Sequence, residues 1–383
     1  MATKMFPKKL LTACLFLAVS IGVRSQAPPV VRNGGATGPT KVINVATFDS
    51  GFGGFFTAKE IEKQMQNFSR EGYGPFAIAH YADTTNIPYG EKTPEEIARF
   101  ASQGILTAFH DGAKDVYIAC NTASTQFDKI KEILRAENPS YPNHVYSILD
   151  ISVREVMKTV GERLKKQDVV AIAVLATPAT VKSESYPRFL AKALNVEFKP
   201  GKFIKSAQSR WLKSKGGNID NFFYVTELAL GPKKKVVVYQ MAPANWVEMI
   251  ENGASDTEKR RAVKNDLQLL ADHLRPGQTI EAVGEFCTHY PVLNGMIQEE
   301  MKERRMVAKN APFIVQGPVM AALFSRQFLQ TKPAKSVQPV EPPGTPPIYL
   351  SGTNIEATQN LVKSIFPNDS LPIIQKKEFV KLK

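Results

Sequence analysis

The most constraining feature of this 383-residue chain is the alternation of short apolar runs with amphipathic helical segments. The apolar runs lack the every-second-residue polarity of a half-exposed strand, so they are typical of strands buried on both faces. Strands that alternate with helices favour parallel sheets joined by helical crossovers. The sequence therefore predicts an α/β fold with two similar parallel-sheet lobes facing each other across a central cleft. The main predicted strands are residues 41–48, 76–82, 116–119, 145–149, 169–175, 236–239, 279–286, 312–315 and 348–350.

Two cysteines stand at predicted strand-to-helix turns. Cys120 follows the run at 116–119, and Cys287 follows the run at 279–286. Ligands bind at the carboxyl ends of strands in open α/β sheets, and the N–H groups of a following helix favour a thiolate. Either cysteine alone is equally readable as a buried, inert residue. Their matching contexts, Cys-Asn-Thr and Cys-Thr-His, favour a functional pair, although two cysteines in an exported protein also suggest a disulfide.

The cysteines lie in separate strand clusters, which predicts the lobe boundaries. We expect residues 41–147 together with 312–383 to form the lobe that carries Cys120. Residues 148–311 then form the lobe that carries Cys287. Within that lobe residues 198–235 are rich in Lys and Gly and poorly periodic, so we interpret them as a basic surface insertion.

Other polar residues at the same turns are candidates for acid–base or binding roles. Asp49, in a Gly-rich turn, is able to accept a proton, or simply caps a helix. His289 is placed to influence Cys287, or is a satisfied buried histidine. Glu248 follows an apolar run and is a further candidate, or is simply an exposed helix residue. Residues able to hold a carboxylate, or merely to cap or form turns, are Ser50, Asn121, Thr122, Thr177, Thr180 and Thr288, with Pro88, Tyr89 and Gly90 in a further turn.

The chain lacks the motifs of metal and nucleotide sites. Its five histidines are scattered, and neither a Cys-x-x-Cys nor a His-x-x-x-His pair occurs, which argues against a metal site. The glycines at 51–54 match only part of a dinucleotide-binding fingerprint, and there is no P-loop sequence. We therefore expect chemistry without a metal or any other cofactor.

The N-terminus has the composition of a secretory signal peptide over residues 1–25. Lys4, Lys8 and Lys9 precede an apolar run that is too short to span a bilayer. Residues 26–40 are typical of a flexible leader. We expect an exported protein, periplasmic or secreted, without stable membrane insertion after cleavage. A retained N-terminal anchor is the alternative.

The formal net charge of +13 narrows the class of partner. The basic residues are not interleaved with aromatic ones, so they indicate a solvated face rather than a nucleic-acid surface. We expect a small-molecule substrate and no nucleic acid. The sequence does not reveal the oligomeric state and leaves a homodimer open.

Four segments resemble the aspartate/glutamate racemase family, and within it the glutamate racemases. They are residues 48–54, 81–92, 119–124 and 287–293, with weaker matches at 177–180 and 247–248. The segments occur in the family's order across nearly all of the chain after the leader. The resemblance implies two α/β lobes with an amino acid bound between them, and cofactor-independent racemisation by two cysteines.

Carried over by position, the resemblance makes Cys120 and Cys287 the two acid–base groups. One thiolate removes the α-proton, and the thiol on the opposite face returns one. Asp49 then assists Cys120, His289 assists Cys287, and Glu248 is a supporting residue. The amino acid would be bound by Ser50, Pro88, Tyr89, Gly90, Asn121, Thr122 and Thr288.

The substrate is narrowed by His289, because family members that act on aspartate usually carry glutamate there. The sequence therefore favours glutamate. The alternative substrates are aspartate and another amino acid. The alternative function is that of a non-catalytic exported binding protein that uses the same cleft.

The chain also departs from the family pattern. Ala242-Pro243 replaces a Cys-Pro turn, Glu285 places a charged residue type just before the second cysteine, and Gln316-Gly317 stands where Asp-Ser is usual. The family normally supplies D-glutamate for the peptidoglycan precursors of the cell wall inside the cytoplasm. The predicted export would separate this protein from that step.

Overall fold

The computed structural model describes residues 42–208, 220–243, 245–331, 333–336 and 339–382, without the side chains of residues 91, 205–208 and 220. The predicted signal peptide and leader lie outside these ranges, so they and the export that they imply stay predictions. Within the ranges, no helix is both long and apolar enough to cross a bilayer.

Two six-stranded sheets form the framework of the described residues. The strands are β1 (Ile43–Asp49), β2 (Phe76–Ala82), β3 (Asp115–Ile118), β4 (Val145–Ser147), β5 (Val169–Ala176), β6 (Lys202–Gln208), β7 (Asp220–Ala229), β8 (Lys235–Ala242), β9 (Ile280–Phe286), β10 (Phe313–Val315), β11 (Ile348–Leu350) and β12 (Ile374–Lys376). The first sheet has the order β12-β11-β2-β1-β3-β4, and its neighbouring strands are parallel. The second has the order β10-β9-β5-β8-β7-β6 and is parallel from β10 to β8. The predicted α/β fold of two parallel-sheet lobes is confirmed.

Helices connect the strands, and two of them begin with a capping box. The side chains of Thr93 and Glu96 form a capping box at one N-terminus, and those of Ser255 and Glu258 form another. Each box satisfies N–H groups that the first helical turn leaves unpaired. The α-helices are α1 (Gly54–Arg70), α2 (Pro94–His110), α3 (Asn121–Ser124), α4 (Phe127–Glu137), α5 (Ile148–Arg163), α6 (Pro178–Lys182), α7 (Ser185–Leu194), α8 (Trp246–Glu251), α9 (Asp256–His273), α10 (Asn294–Glu303), α11 (Gln316–Gln330) and α12 (Ile355–Ile365). Short 3₁₀ helices span Tyr89–Glu91, Tyr141–His144 and Tyr290–Val292.

Burial on both sheet faces explains the evenly apolar strands. Along β5, Ala171, Ala173 and Leu175 pack into one hydrophobic cluster, while Ile172 and Val174 pack into another on the opposite face. A strand covered on both sides has no solvent-facing positions to carry polar residues. The missing period-two pattern is therefore a direct consequence of the helical layers.

The structure differs from the predicted lobe boundary near residue 312. β10 pairs with β9 of the second sheet in parallel register, with Val315 opposite Glu285. The chain returns to the first lobe only through α11, whose Met320 and Phe324 join the first lobe's hydrophobic core. A three-residue apolar run carries no signal for the sheet that it joins, because partner choice depends on tertiary contacts.

The predicted basic insertion at 198–235 contributes to the second sheet. β6 pairs antiparallel with β7, and β7 pairs antiparallel with β8. Residues 209–219 lie outside the described part of the chain. Phe203 lies on the edge strand β6 and is exposed although apolar, while Glu227 of β7 and Lys235 of β8 form an ion pair. This mixture of exposed apolar and charged residues explains the weak periodicity of the segment.

Candidate active site

Both thiols lie where the sequence placed them, at the carboxyl ends of strands. Cys120 precedes α3, and its Sγ accepts a hydrogen bond from the Ala123 N–H at 3.4 Å. Cys287 directly follows β9. Each residue is 4% exposed, and both cysteines are free. The thiols are therefore buried, and the disulfide alternative is not realised in this structure.

The Gly-rich turn of the first lobe touches the Cys287 turn of the second. The Asp49 carboxylate accepts hydrogen bonds from the N–H groups of Ser50 and Gly54, at 2.9 and 2.6 Å. It also accepts one from the Thr288 hydroxyl of the other lobe at 3.0 Å. A Cβ added at Gly53 would lie 2.3 Å from Thr288 Oγ1 and 2.7 Å from His289 Nδ1. The absence of a side chain at Gly53 lets the Gly-rich turn and the Cys287 turn adjoin.

A buried histidine, His80, hydrogen-bonds to this Gly-rich turn. His80 Nε2 lies 3.1 Å from the Gly51 carbonyl oxygen, and Nδ1 lies 2.9 Å from Thr47 Oγ1. Burial lowers the pKa of His80 to about 4, so the ring is neutral. Because a carbonyl only accepts, Nε2 carries the proton and Nδ1 accepts from the Thr47 hydroxyl. No sequence pattern indicates this role, since His80 is an isolated histidine within a strand.

The surroundings of Cys120 favour its protonated form. Burial and the nearby Asp49 carboxylate raise the pKa of Cys120 well above the ordinary range of a thiol. Hydrogen bonds oppose this only in part, including one with Ser50 Oγ, which lies 3.4 Å from Sγ. Burial also raises the pKa of Asp49, against the charge of His289 and the hydrogen bonds of Cys120 and Thr288. Cys120 is therefore a proton donor as the site stands.

Cys287 lies beside a charged pair instead. His289 Nδ1 is 4.0 Å from its Sγ, and His289 Nε2 is 3.0 Å from Glu251 Oε1. Burial alone would lower the pKa of His289, but Cys287 and Glu251 raise it well above its usual value. The pKa of Glu251 falls despite burial, because His289 bonds to it and carries the opposite charge. The resulting imidazolium stabilises negative charge on a neighbouring sulfur.

The predicted supporting residue Glu248 does not contact this pair. Glu248 is exposed, and Glu251, three residues later on α8, is the carboxylate that bonds His289. Both glutamates follow the same strand, and only the docking of α8 against the Tyr290–Val292 turn distinguishes them. Sequence spacing therefore found the right helix and missed the contacting residue.

The predicted binding residues divide into two groups at the lobe junction. Thr122 Oγ1 lies 3.4 Å from Thr177 Oγ1, which lies 3.0 Å from Thr180 Oγ1, so these hydroxyls connect the lobes. The oxygen and the nitrogen of the Asn121 side-chain amide both hydrogen-bond to other side chains. The amide exchanges hydrogen bonds with Gln316 at 2.6 and 2.8 Å and accepts one from the Tyr186 hydroxyl at 2.5 Å. Asn121 therefore joins the lobes rather than offering a free amide.

The turn at 88–90 also reaches the site. Tyr89 is 2% exposed and donates to Asp83 Oδ2 at 2.8 Å. Burial and Asp83 raise the pKa of Tyr89 well above its normal value, and the charges of Cys120 and Asp49 add to this rise. Pro88 immediately precedes Tyr89, and a Cβ on Gly90 would lie 3.7 Å from Ala179 Cβ of the second lobe. The three predicted residues thus line the first lobe's side of the junction.

In the part of the chain that the structure describes, no group of three or more His, Cys, Asp or Glu side chains is arranged to hold a metal ion. The expectation of cofactor-free chemistry stays a prediction.

Two known proteins show the sequence relationship, although no family model matches the chain. A glutamate racemase from Picosynechococcus sp. is 25% identical over 272 residues, which cover 71% of this chain and 74% of that protein. A glutamate racemase from Sulfurovum sp. is 28% identical over 264 residues, covering 68% and 75% respectively.

Solved structures show the same fold. A glutamate racemase from Bacillus anthracis has a TM-score of 0.58 and 19% identity, covering 88% of this chain and 97% of that one. The glutamate racemase from Francisella tularensis in complex with D-glutamate has a TM-score of 0.57 and 19% identity, covering 87% and 97%. The sequence relatives support an isomerase of the amino-acid racemase class. The resemblance carried by the two cysteine motifs is confirmed, because the chain is similar to glutamate racemases in sequence and shares the fold of their solved structures.

Proposed function

We propose that this protein is a cofactor-independent racemase that interconverts L- and D-glutamate by proton transfer at Cys120 and Cys287. The observation that carries the proposal is that two buried cysteines without a disulfide lie on either side of one Gly-rich turn. Ser50 and Asp49 of this turn interact with Cys120, and its Asp49 and Gly53 adjoin Thr288 and His289 of the Cys287 turn. A racemase needs an acid on one face of the α-carbon and a base on the other, and two thiols provide a matched pair.

The charges around the two thiols suggest how racemisation begins in one of its two directions. Cys287, beside the His289 imidazolium, removes the α-proton as a thiolate. Cys120, which the site keeps protonated, gives its proton to the opposite face of the carbanion. The bond from Cα to hydrogen breaks on one side and a new one forms on the other. Cys120 is left as the thiolate and Cys287 as the thiol, which is the starting state for the reverse direction.

The substrate assignment rests on the relatives and on the polar groups at the junction. The sequence relatives are named as glutamate racemases, and one neighbouring structure contains D-glutamate. The hydroxyls of Thr122, Thr177 and Thr180 are hydrogen-bond donors suited to carboxylate oxygens. A dicarboxylic amino acid matches these donors together with the imidazolium of His289.

Deuterium exchange tests the proposed activity directly. Purified protein is incubated with L-glutamate or D-glutamate in heavy water, and loss of the α-proton signal is followed by proton NMR. We expect exchange with both enantiomers and formation of the opposite one, read by chiral chromatography. Aspartate and alanine serve as comparison substrates. Tight calorimetric binding without any exchange would instead indicate a binding protein, and exchange with aspartate alone would change the substrate.

The carboxylate behind His289 gives a second test. Glu251→Gln removes the charge that keeps His289 protonated, so we expect the pKa of His289 to fall. We expect kcat to fall about tenfold, because a hydrogen bond to a charged group contributes roughly 1.5 kcal/mol or more. Histidine NMR titration and steady-state kinetics measure both effects. Glu248→Gln is the matched control, because Glu248 is also exposed and lies on the same helix. Equal losses in both variants would contradict the assignment to Glu251.

A further inference from the structure

Besides Glu251, a second acidic residue, Glu285, lies close to Cys287 in the chain. Glu285 is two residues before Cys287 on β9, and strand alternation directs both side chains to the same face as Val283. Its neighbours across the sheet are Leu175 on β5 and Val315 on β10. The Glu285 carboxyl therefore lies on the apolar sheet face that also carries Cys287, two residues along the chain from it.

This carboxyl has no hydrogen-bond partner among the described residues. Glu285 is 0% exposed, and both of its oxygens are buried and unpaired. The hydroxyl of Tyr290, a residue of the same apolar cluster as Cys287, is also buried without a partner. Burying an unpaired polar group costs free energy. The departure from the family's apolar pattern at this position is therefore energetically unfavourable for folding alone.

Tyr290 lies within the electrostatic range of both Glu285 and Cys287. Asp266 lies within this range as well. Asp266 is satisfied by the Trp246 Nε1–H and by Asn221, each at 2.8 Å. From α8, Glu251 bonds His289. No cation among the described residues offsets the charge of Glu285.

We propose that Glu285 is a positioning residue of the Cys287 site: as a neutral carboxyl it permits negative charge on the sulfur, and its ionisation opposes that charge. The proposal rests on the proposed function for its meaning in catalysis, but it concerns the thiol itself. Burial raises the pKa of Glu285 to about 8. The group is therefore neutral at pH 7 and becomes an anion in the range where a thiol also titrates.

The expected consequence is that the charge state of Glu285 affects the ionisation of Cys287. Two negative charges in one buried site disfavour each other, so an ionised Glu285 raises the pH needed to form the Cys287 thiolate. Glu285→Gln keeps the size and removes the charge. We expect it to lower the midpoint of Cys287 ionisation by about one pH unit. In racemisation assays, activity should then rise at lower pH than in the unchanged protein.

The test follows the thiol without relying on catalysis. The full chain is prepared with Cys14→Ala and Cys120→Ala, so that Cys287 is the one remaining cysteine. Its Cβ is labelled with carbon-13, and the chemical shift is followed against pH with Glu285 or with Gln at position 285. Glu285→Leu is a second uncharged replacement for the case in which a buried amide disturbs folding, which circular dichroism monitors.

Glu281→Gln is the matched control. Glu281 lies on the same strand, is 6% exposed, and pairs with Arg163 at 2.9 Å, four residues before Glu285. It should leave the Cys287 midpoint unchanged. An unchanged midpoint in the folded Glu285 variants would overturn the proposal, and so would an equal shift in Glu281→Gln. A lowered midpoint together with no deuterium exchange would reject racemisation while supporting the role of Glu285.

Discussion

Replacing either thiol with serine should lower racemisation by about 10³-fold or more, because general acid–base catalysis contributes roughly 10²–10⁴-fold. A serine hydroxyl does not ionise near neutral pH, so Cys120→Ser and Cys287→Ser each lack one member of the pair. The two variants should differ in their partial reactions. The thiol that remains faces only one side of the α-carbon, so residual deuterium exchange should occur with one enantiomer, and with the opposite enantiomer in the other variant.

This pattern separates a two-thiol mechanism from a single base. Proton NMR in heavy water measures exchange for each enantiomer, and circular dichroism of the substrate measures racemisation. Cys14→Ser is the matched control, because Cys14 belongs to the predicted signal peptide and should not affect the rate. Full racemisation by either Cys120→Ser or Cys287→Ser would show that the missing thiol is not an acid–base group.

Gly53→Ala should reduce kcat by about 100-fold, because displacement of catalytic groups by about 1 Å is enough for a loss of that size. The new Cβ would lie 2.3 Å from Thr288 Oγ1 and 2.7 Å from His289 Nδ1, so the Gly-rich turn and the Cys287 turn must move apart. The backbone of Gly53 has an ordinary helical φ of −54°. Alanine is therefore compatible with its conformation, and the expected defect comes from the close approach.

Gly51→Ala provides the comparison within the same turn. A Cβ there would lie 3.7 Å from Glu251 Oε1, which is ordinary van der Waals contact. We expect kcat close to that of the unchanged protein. Steady-state kinetics should be paired with thermal unfolding, so that a local displacement is distinguished from loss of the fold. Equal activity of the two alanine variants would mean that the junction tolerates a side chain at residue 53.

Much of the architecture could be read from local pattern. The apolar strands, the capping boxes at Thr93 and Ser255 and the two cysteine turns depend on interactions within a few residues. These local preferences agree with the final fold. Residues 313–315 and 198–235 were harder, because a short run or an edge strand is defined by the neighbour that it pairs with.

The site shows the same division. The sequence by itself determined that Cys120, Asp49, Cys287 and His289 stand at strand ends, since each lies next to its own apolar run. The tertiary structure alone decided which side chains meet across the lobes, such as Asp49 with Thr288 and Asn121 with Gln316. It also decided that Glu251 rather than Glu248 bonds His289, and it buried Glu285 without a hydrogen-bond partner among the described residues. The physical reason is that sequence periodicity specifies the face and end of an element, whereas hydrogen bonding and desolvation depend on what packs against that face.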